Sequence, residues 1–169
     1  MMLPCVMVTR LCLNLGITQK KNLPSITKFS EKSEKNPETI LKVLEMEKPD
    51  VVILTGDIVT DKPAVKGWKK VVDMMEKAEI PFAVTMGNHD AENVSKETHY
   101  AAYRDYDNCL AYDADPELYG MGTHNLTIKS SDGTKVAYNL WMFDSNMYNE
   151  EKGGYDHIHE DQLQWYVDA

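Results

Sequence analysis

The sequence predicts an α/β fold in which helices and buried strands alternate. Apolar residues recur at helical spacing over residues 37–48 and again over residues 63–79. Each stretch is followed by a short apolar run, Val51–Thr55 and Phe82–Met86. Continuous runs of this kind are typical of strands buried on both faces of a parallel sheet. A right-handed crossover between them predicts that the two strands lie parallel and close together.

Composition favours one folded domain and excludes several classes of function. The chain has 169 residues, of which 43% are apolar and 27% charged, as expected for a globular domain. A net charge of -9 disfavours nucleic acid and anionic lipid as partners. No apolar segment approaches the ~20 residues of a transmembrane helix. No glycine-rich P-loop is present, which excludes nucleotide hydrolysis of that type.

Two segments are expected, a poorly ordered lead-in over residues 1–35 and a folded domain over residues 36–169. Residues 1–15 only superficially resemble a signal peptide, because Arg10 interrupts the apolar stretch and no basic segment precedes it. We therefore expect no signal peptide there. The three cysteines form no CxxC pair and are expected to be free thiols.

The sequence predicts further elements in the second half of the domain. They are a helix over 95–112, strands over 125–129 and 136–143 joined by a turn, and a helix over 160–167. His99 is expected to pack within the first of these helices, and His124 is expected to be structural or to lie at the rim of a site.

Polar residues follow both buried strands at the point where each ends. Gly56 and Asp57 follow the first, and residues 87–90, Gly-Asn-His-Asp, follow the second. Because the carboxyl ends of parallel strands open on one edge of a sheet, we expect these residues to converge. Either block alone is also typical of an ordinary turn. The pair, one crossover apart, favours a site for a metal and for acid-base chemistry.

Each side chain of the pair offers a different chemistry. Asp57 and Asn88 provide oxygen ligands for a hard cation, and His89 provides an imidazole that binds a metal or transfers protons. Asp90 is placed to orient that imidazole.

In their strand context, Val51–Ile58 and Phe82–Asp90, the two blocks resemble those of the calcineurin-like metallophosphoesterases. The stretch from Phe143 to Trp165 is similar to the purple-acid-phosphatase-like branch of that family. The resemblance implies an αββα sandwich, two β-sheets flanked by helices, that hydrolyses phosphate esters with metal-activated water. It also implies a phosphate-ester substrate and two divalent ions, such as manganese, iron or zinc.

The resemblance also implies residue roles. Asp57 would bridge the two metals and Asn88 would bind the second. His89 would contact the scissile phosphate and assist the leaving oxygen, while Asp90 would hold His89 in place.

The chain departs from the family pattern at two blocks. The family opens with Asp-x-His and closes with a lone His and Gly-His-x-His, and neither Asp-x-His nor a Gly-His pair occurs here. Residues 26–29 are the candidate remnant of the opening strand, with Glu31 as a candidate oxygen ligand. Asp144, His157 and His159 are weaker candidate ligands, the two histidines because they imitate the closing block.

These departures leave an alternative open. The chain would then be an inactive fragment or pseudoenzyme that binds at most one metal or a partner. The helix over residues 160–167 is still running near Ala169, so the sequence predicts a sandwich that is incomplete at its C-terminus.

Overall fold

Helices and strands follow one another along the chain much as the hydrophobic spacing predicts. The computed structural model describes residues 6–9, 35–58 and 64–169. Within these ranges the elements are β1 (Val6–Thr9), α1 (Lys35–Glu47), β2 (Val51–Leu54), α2 (Ala64–Lys77), β3 (Phe82–Val84), α3 (Lys96–Arg104), β4 (His124–Lys129), β5 (Val136–Met142) and α4 (Glu160–Asp168).

The first sheet has the strand order β1-β2-β3. β2 and β3 are parallel, with Val52 opposite Phe82 and Leu54 opposite Val84, which confirms the predicted βαβ unit. β1 pairs with β2 in the antiparallel direction, with Val6 opposite Leu54. This strand lies inside the segment expected to be a poorly ordered lead-in. The candidate strand over residues 26–29 and Glu31 lie outside the described residues.

Hydrophobic contacts stack the elements in four layers. One face of the β2–β3 pair packs on α1, α2 and α3 through a large cluster that includes Leu54 and Trp68. The opposite face, with Ile53 and Ala83, packs on Met142 of the two-stranded β4–β5 sheet. α4 covers the outer side of that sheet, where its side chains contact Trp141. The order helix, sheet, sheet, helix confirms the predicted αββα class.

Aromatic packing supports α3 against α2. The rings of Trp68 and Tyr103 lie 3.9 Å apart, centroid to centroid, and the His99 ring meets Trp68 edge-on at 5.3 Å. His99 is fully buried, which confirms its expected packing role.

α3 is shorter than the sequence predicts. The expected helix over residues 95–112 ends at Arg104, and Leu110, beyond that end, is 41% exposed. Asp and Asn compete for backbone hydrogen bonds and favour turns, and three of them lie at positions 105, 107 and 108. The chain beyond the turn instead pairs with the edge of β3, since Phe82 N donates to Asn108 O at 2.9 Å.

In the ranges that the structure describes, no helix is both long enough and apolar enough to cross a membrane.

Candidate active site

The loops that follow β2 and β3, residues 56–58 and 87–92, are called here the strand-end loops. Their backbones approach so closely that a Cβ on Gly56 would lie 2.3 Å from Gly87 N. A Cβ on Gly87 would likewise lie 2.3 Å from Asp57 Oδ1. Gly56 also has a φ of +92°, a conformation that side chains rarely adopt. The two glycines are therefore required for the loops to meet, and the predicted convergence is confirmed.

Hydrogen bonds between backbone amides and carboxylates join the two loops. His89 N donates to Asp57 Oδ1 at 2.9 Å. In return, Asp90 Oδ2 accepts hydrogen bonds from Asp57 N at 2.9 Å and from Gly87 N at 2.7 Å. Each loop thus supplies a carboxylate that binds an amide of the other.

Asp90 is the buried centre of this network. Burial raises the pKa of its carboxyl to about 6, and the hydrogen bonds from Gly87 and Asp57 oppose that rise. Its main chain is also held, because the Asp90 carbonyl lies 2.8 Å from Nδ1 of the buried His99. The Asp90 carboxylate therefore fixes the loops relative to one another.

The sequence predicts that Asp90 orients the His89 ring, and the structure corrects that role. Nδ1 of His89 contacts Glu92 Oε1 at 2.7 Å, and the Tyr148 hydroxyl donates to the same oxygen at 2.7 Å. The hydrogen bond with His89, followed by that from Tyr148, lowers the pKa of Glu92. Oδ2 of the Asp90 carboxylate instead accepts hydrogen bonds from the backbone amides of Asp57 and Gly87.

Sequence reasoning missed both Glu92 and Tyr148. Glu92 stands three residues after His89, a spacing at which side chains meet across one turn, so a signal was available. Tyr148 lies 56 residues from Glu92, and nothing in the local sequence indicates that contact.

Asp57 and Asn88 are the residues of this site that suit a divalent cation. Carboxylate and amide oxygens are ligands for hard cations. The side-chain nitrogen of Asn88 is buried and has no hydrogen-bond partner among the described residues. An amide nitrogen donates hydrogen bonds and does not bind a cation, so the Asn88 side-chain oxygen would be the ligand atom. The two side chains therefore fit part of a metal site, although they do not complete one.

Asp144 follows β5 near the same edge of the sandwich. The neighbouring Phe143 carbonyl accepts a hydrogen bond from Thr85, which follows β3, at 2.8 Å. The Asp144 carboxylate is fully buried and pairs with Lys96 Nζ. It also accepts hydrogen bonds from two backbone amides, of Met121 and Asn146, both at 2.8 Å. These contacts give Asp144 a structural role in supporting the chain beside the site.

His157 and His159 lie in the chain between β5 and α4, here called the post-hairpin segment, residues 143–159. The structure places them around Asp156 instead of Asp57 or Asn88. One ligand atom from each of the three residues lies within 4.8 Å of the others. His124, in contrast, is buried with Nδ1 at 2.7 Å from the Gly122 carbonyl, which confirms a structural role.

Comparisons with known proteins give the same family as the motifs. The family profile described as calcineurin-like phosphoesterase matches residues 31–168. The chain is 26% identical to Phosphatase DCR2 of Saccharomyces cerevisiae over 92% of its own length and 30% of that protein. It is 28% identical to Probable inactive purple acid phosphatase 29 of Arabidopsis thaliana over 74% of its length and 36% of that protein.

A shorter match concerns a bacterial relative. The chain is 45% identical to Probable glycerophosphodiester phosphodiesterase GpdQ of Arcobacter nitrofigilis over 30% of its own length and 18% of that protein. The chain thus spans about a third or less of the length of these relatives. No solved structure gives a significant match. Because the family profile covers most of the chain and the strand-end loops have the expected geometry, this chain belongs to the calcineurin-like phosphoesterase family.

Proposed function

We propose that this domain hydrolyses phosphate esters, with Asp57 and Asn88 as metal ligands and His89 at the scissile phosphate. The main support is the pair of strand-end loops, in which Asp57 Oδ1 accepts the hydrogen bond of the His89 amide at 2.9 Å. That bond fixes the Asp57 carboxylate beside the main chain of His89, and the contact with Glu92 holds the ring, before any ligand arrives. Pre-positioned groups of this kind lower the barrier because less order has to be gained during the reaction.

Divalent cations held by Asp57 and Asn88 would supply an activated water and offset the charge of the phosphate, which the net charge of -9 otherwise repels. A site with two ions, as in the family, would need ligands beyond these two residues.

His89 is suited to act on the ester oxygen. With Nδ1 held by Glu92, Nε2 is the ring nitrogen that can face a substrate. The carboxylate accepts a hydrogen bond from Nδ1–H and so fixes the orientation of the ring. An Nε2 that carries a proton would donate it to the leaving oxygen. The Tyr148 hydroxyl keeps Glu92 in place for this purpose.

A second candidate function is that of an inactive relative that binds at most one metal or a partner. The absence of Asp-x-His and of any Gly-His pair favours it. The resemblance to a plant protein named as probably inactive is consistent with it.

Hydrolysis assays on the purified chain separate the two candidates. The substrates are an aryl phosphate monoester and the corresponding diester, with added Mn²⁺. Asp57→Asn and His89→Gln should each lower kcat by about 10²- to 10⁴-fold. Asp132→Asn, in the exposed turn between β4 and β5, is the matched control and should retain activity. A chain that folds but shows neither turnover nor bound metal would support the inactive relative and contradict the proposal.

A further inference from the structure

We propose that Asp156, His157 and His159 form a second metal site, which takes a transition-metal ion of the Zn²⁺ type. The site shares no residue with Asp57 and Asn88 and does not depend on the proposed hydrolysis. Asp156 uses both carboxylate oxygens: Oδ1 lies 3.0 Å from His157 Nδ1, and Oδ2 lies 3.1 Å from His159 Nε2.

These distances are close to those of a metal chelate. Zinc bonds of about 2.0–2.2 Å in a tetrahedral site place neighbouring ligand atoms about 3.3–3.5 Å apart. The Asp–His separations would lengthen by a few tenths of an ångström around an ion. All three ligand atoms already lie within 4.8 Å of one another. To bind one ion, the His157 ring would have to tilt out of its stack on His159, because the nitrogen lone pairs lie in the ring planes.

The donor set is selective for transition metals. Two imidazoles and one carboxylate suit zinc, iron or cobalt, whereas calcium and magnesium prefer sites made of oxygen only. Three protein ligands leave a fourth position open for water or another ligand.

Neighbouring side chains hold the ligands in this arrangement. The Asp156 side chain is 3% exposed, and Asn149 Nδ2 donates to its Oδ1 at 3.2 Å. The Tyr119 ring stacks on His159 at 3.7 Å, and the His157 ring stacks at 4.6 Å, with both ring pairs within 14° of parallel. Ligands that are already oriented lose less entropy when they bind an ion.

The backbone of His159 is fixed as well. His159 N donates to Oε1 of the buried Gln162 at 2.8 Å, at the start of α4. His157, by contrast, has a side chain that is 63% exposed, which gives an ion access from solvent. The site therefore combines one anchored imidazole, one buried carboxylate and one accessible imidazole.

Calorimetric titration of the full chain with Zn²⁺, after removal of metal with a chelator, tests the proposal. His157→Gln should weaken one binding event by at least 10-fold, and His157→Gln combined with His159→Gln should abolish it. Asp57→Asn combined with His89→Gln is the matched control and should leave that event unchanged. Co²⁺ should give visible absorption bands that are lost in the same variants and kept in the control.

The variants also distinguish a metal site from a hydrogen-bonded network at the start of α4. Far-UV circular dichroism verifies that α4 is retained, and His157→Gln is the informative single change because it leaves the bonds of His159 to Asp156 and Gln162 in place. Equal Zn²⁺ affinity and stoichiometry in the wild type and the double histidine variant would overturn the proposal. The three residues would then be a hydrogen-bonded network at the start of α4. Hydrolysis by the Asp57 site is measured separately, so failure of either proposal is recognised by itself.

Discussion

The strand-end loops and the post-hairpin segment lie on the same side of the domain but are held by different kinds of interaction. In the strand-end loops, backbone approaches backbone at Gly56 and Gly87, and amides of each loop donate to a carboxylate of the other. The post-hairpin segment depends on side chains from distant parts of the chain, such as Lys96 and Gln162. The first region is therefore sensitive to added atoms, and the second to the loss of single partners.

The largest expected effect is that of Gly87→Ala. Its Cβ would lie 2.3 Å from Asp57 Oδ1 and 2.6 Å from Asp57 N, closer than atoms in contact can be. The loops would have to separate, and we expect a loss of about 3 kcal/mol or more in the free energy of unfolding. Urea denaturation measures the loss, and the binding of Mn²⁺ should weaken with it.

Gly153→Ala is the matched control in the post-hairpin segment. Gly153 has a φ of +72°, and nothing lies within 4 Å of an added Cβ. Only the cost of the left-handed conformation remains, about 1 kcal/mol. Similar losses in the two variants would show that the close approach of the strand-end loops does not limit the fold.

The next effect concerns the buried pair of Lys96 and Asp144. Removing one member of a buried ion pair leaves an uncompensated charge, which costs about 3–5 kcal/mol. Lys96 is 16% exposed, so solvent screens this pair in part and we expect about 2–3 kcal/mol here. Asp144 also accepts hydrogen bonds from two backbone amides, so Asp144→Ala should fall at the upper end of that range and Lys96→Met at the lower end. The double variant should lose less than the sum of the two, because it has no unpaired charge.

Glu92→Gln is the control for this pair. Glu92 is 35% exposed, and its contacts are with His89 and Tyr148 at the surface of the site. We expect a change within about 0.5 kcal/mol in stability. Urea denaturation measures the free energy of unfolding of Asp144→Ala, Lys96→Met, their double variant and Glu92→Gln. An Asp144→Ala protein as stable as the wild type would show that the post-hairpin segment does not need this carboxylate.

The same contrast explains what the sequence could predict. The strand-end loops follow two recognisable strands of one βαβ unit, so topology alone brings Asp57 and His89 together. The contact of Glu92 with His89 could also be predicted, from its spacing of three residues. The partners of Asp144 lie 48 residues before it and 18 residues after it, at Lys96 and Gln162, and no local pattern relates them.

Some errors have a local cause. The helix predicted to extend to residue 112 ends at Arg104 because turn-forming residues follow it and the edge of β3 accepts the chain. The orientation of Asp90 depends on backbone amides of both loops, which a linear reading does not show. Sequence patterns thus predict which elements meet, and long-range packing decides which atoms of a side chain make the contact.

The smallest expected effect is on the pH dependence of stability, and it concerns one buried histidine behind each region. His99 holds the Asp90 carbonyl of the strand-end loops, and His124 holds the Gly122 carbonyl beside the β4–β5 sheet. Burial lowers the pKa of both imidazoles, although the hydrogen bonds and, for His124, Asp113 oppose the shift. Both rings are therefore neutral in the folded protein at pH values where the unfolded chain begins to bind protons.

The sign of the pH dependence follows from those directions. Above the unfolded pKa of about 6.5 the contribution of each histidine to stability is fully present, and it is lost as the pH falls through that value towards the lowered folded pKa. The two histidines should therefore contribute a decrease in the free energy of unfolding between pH 7.5 and 5.0, whereas Asp90, with its pKa raised to about 6, contributes an increase as the pH falls through the same window. His99→Gln and His124→Gln, whose amides can still donate to the same carbonyls, should each reduce that decrease.

Urea denaturation at several pH values measures how steeply the free energy of unfolding changes with pH in the wild type, His99→Gln and His124→Gln. His124 has an acidic neighbour that opposes its shift, whereas burial of His99 is opposed only by its hydrogen bond to Asp90. The variant with the larger reduction in slope identifies the more acid-sensitive contact: for His99→Gln it is the support of the strand-end loops, and for His124→Gln it is the contact behind the second sheet. Equal slopes in the wild type and both variants would mean that neither ring is kept neutral by the fold.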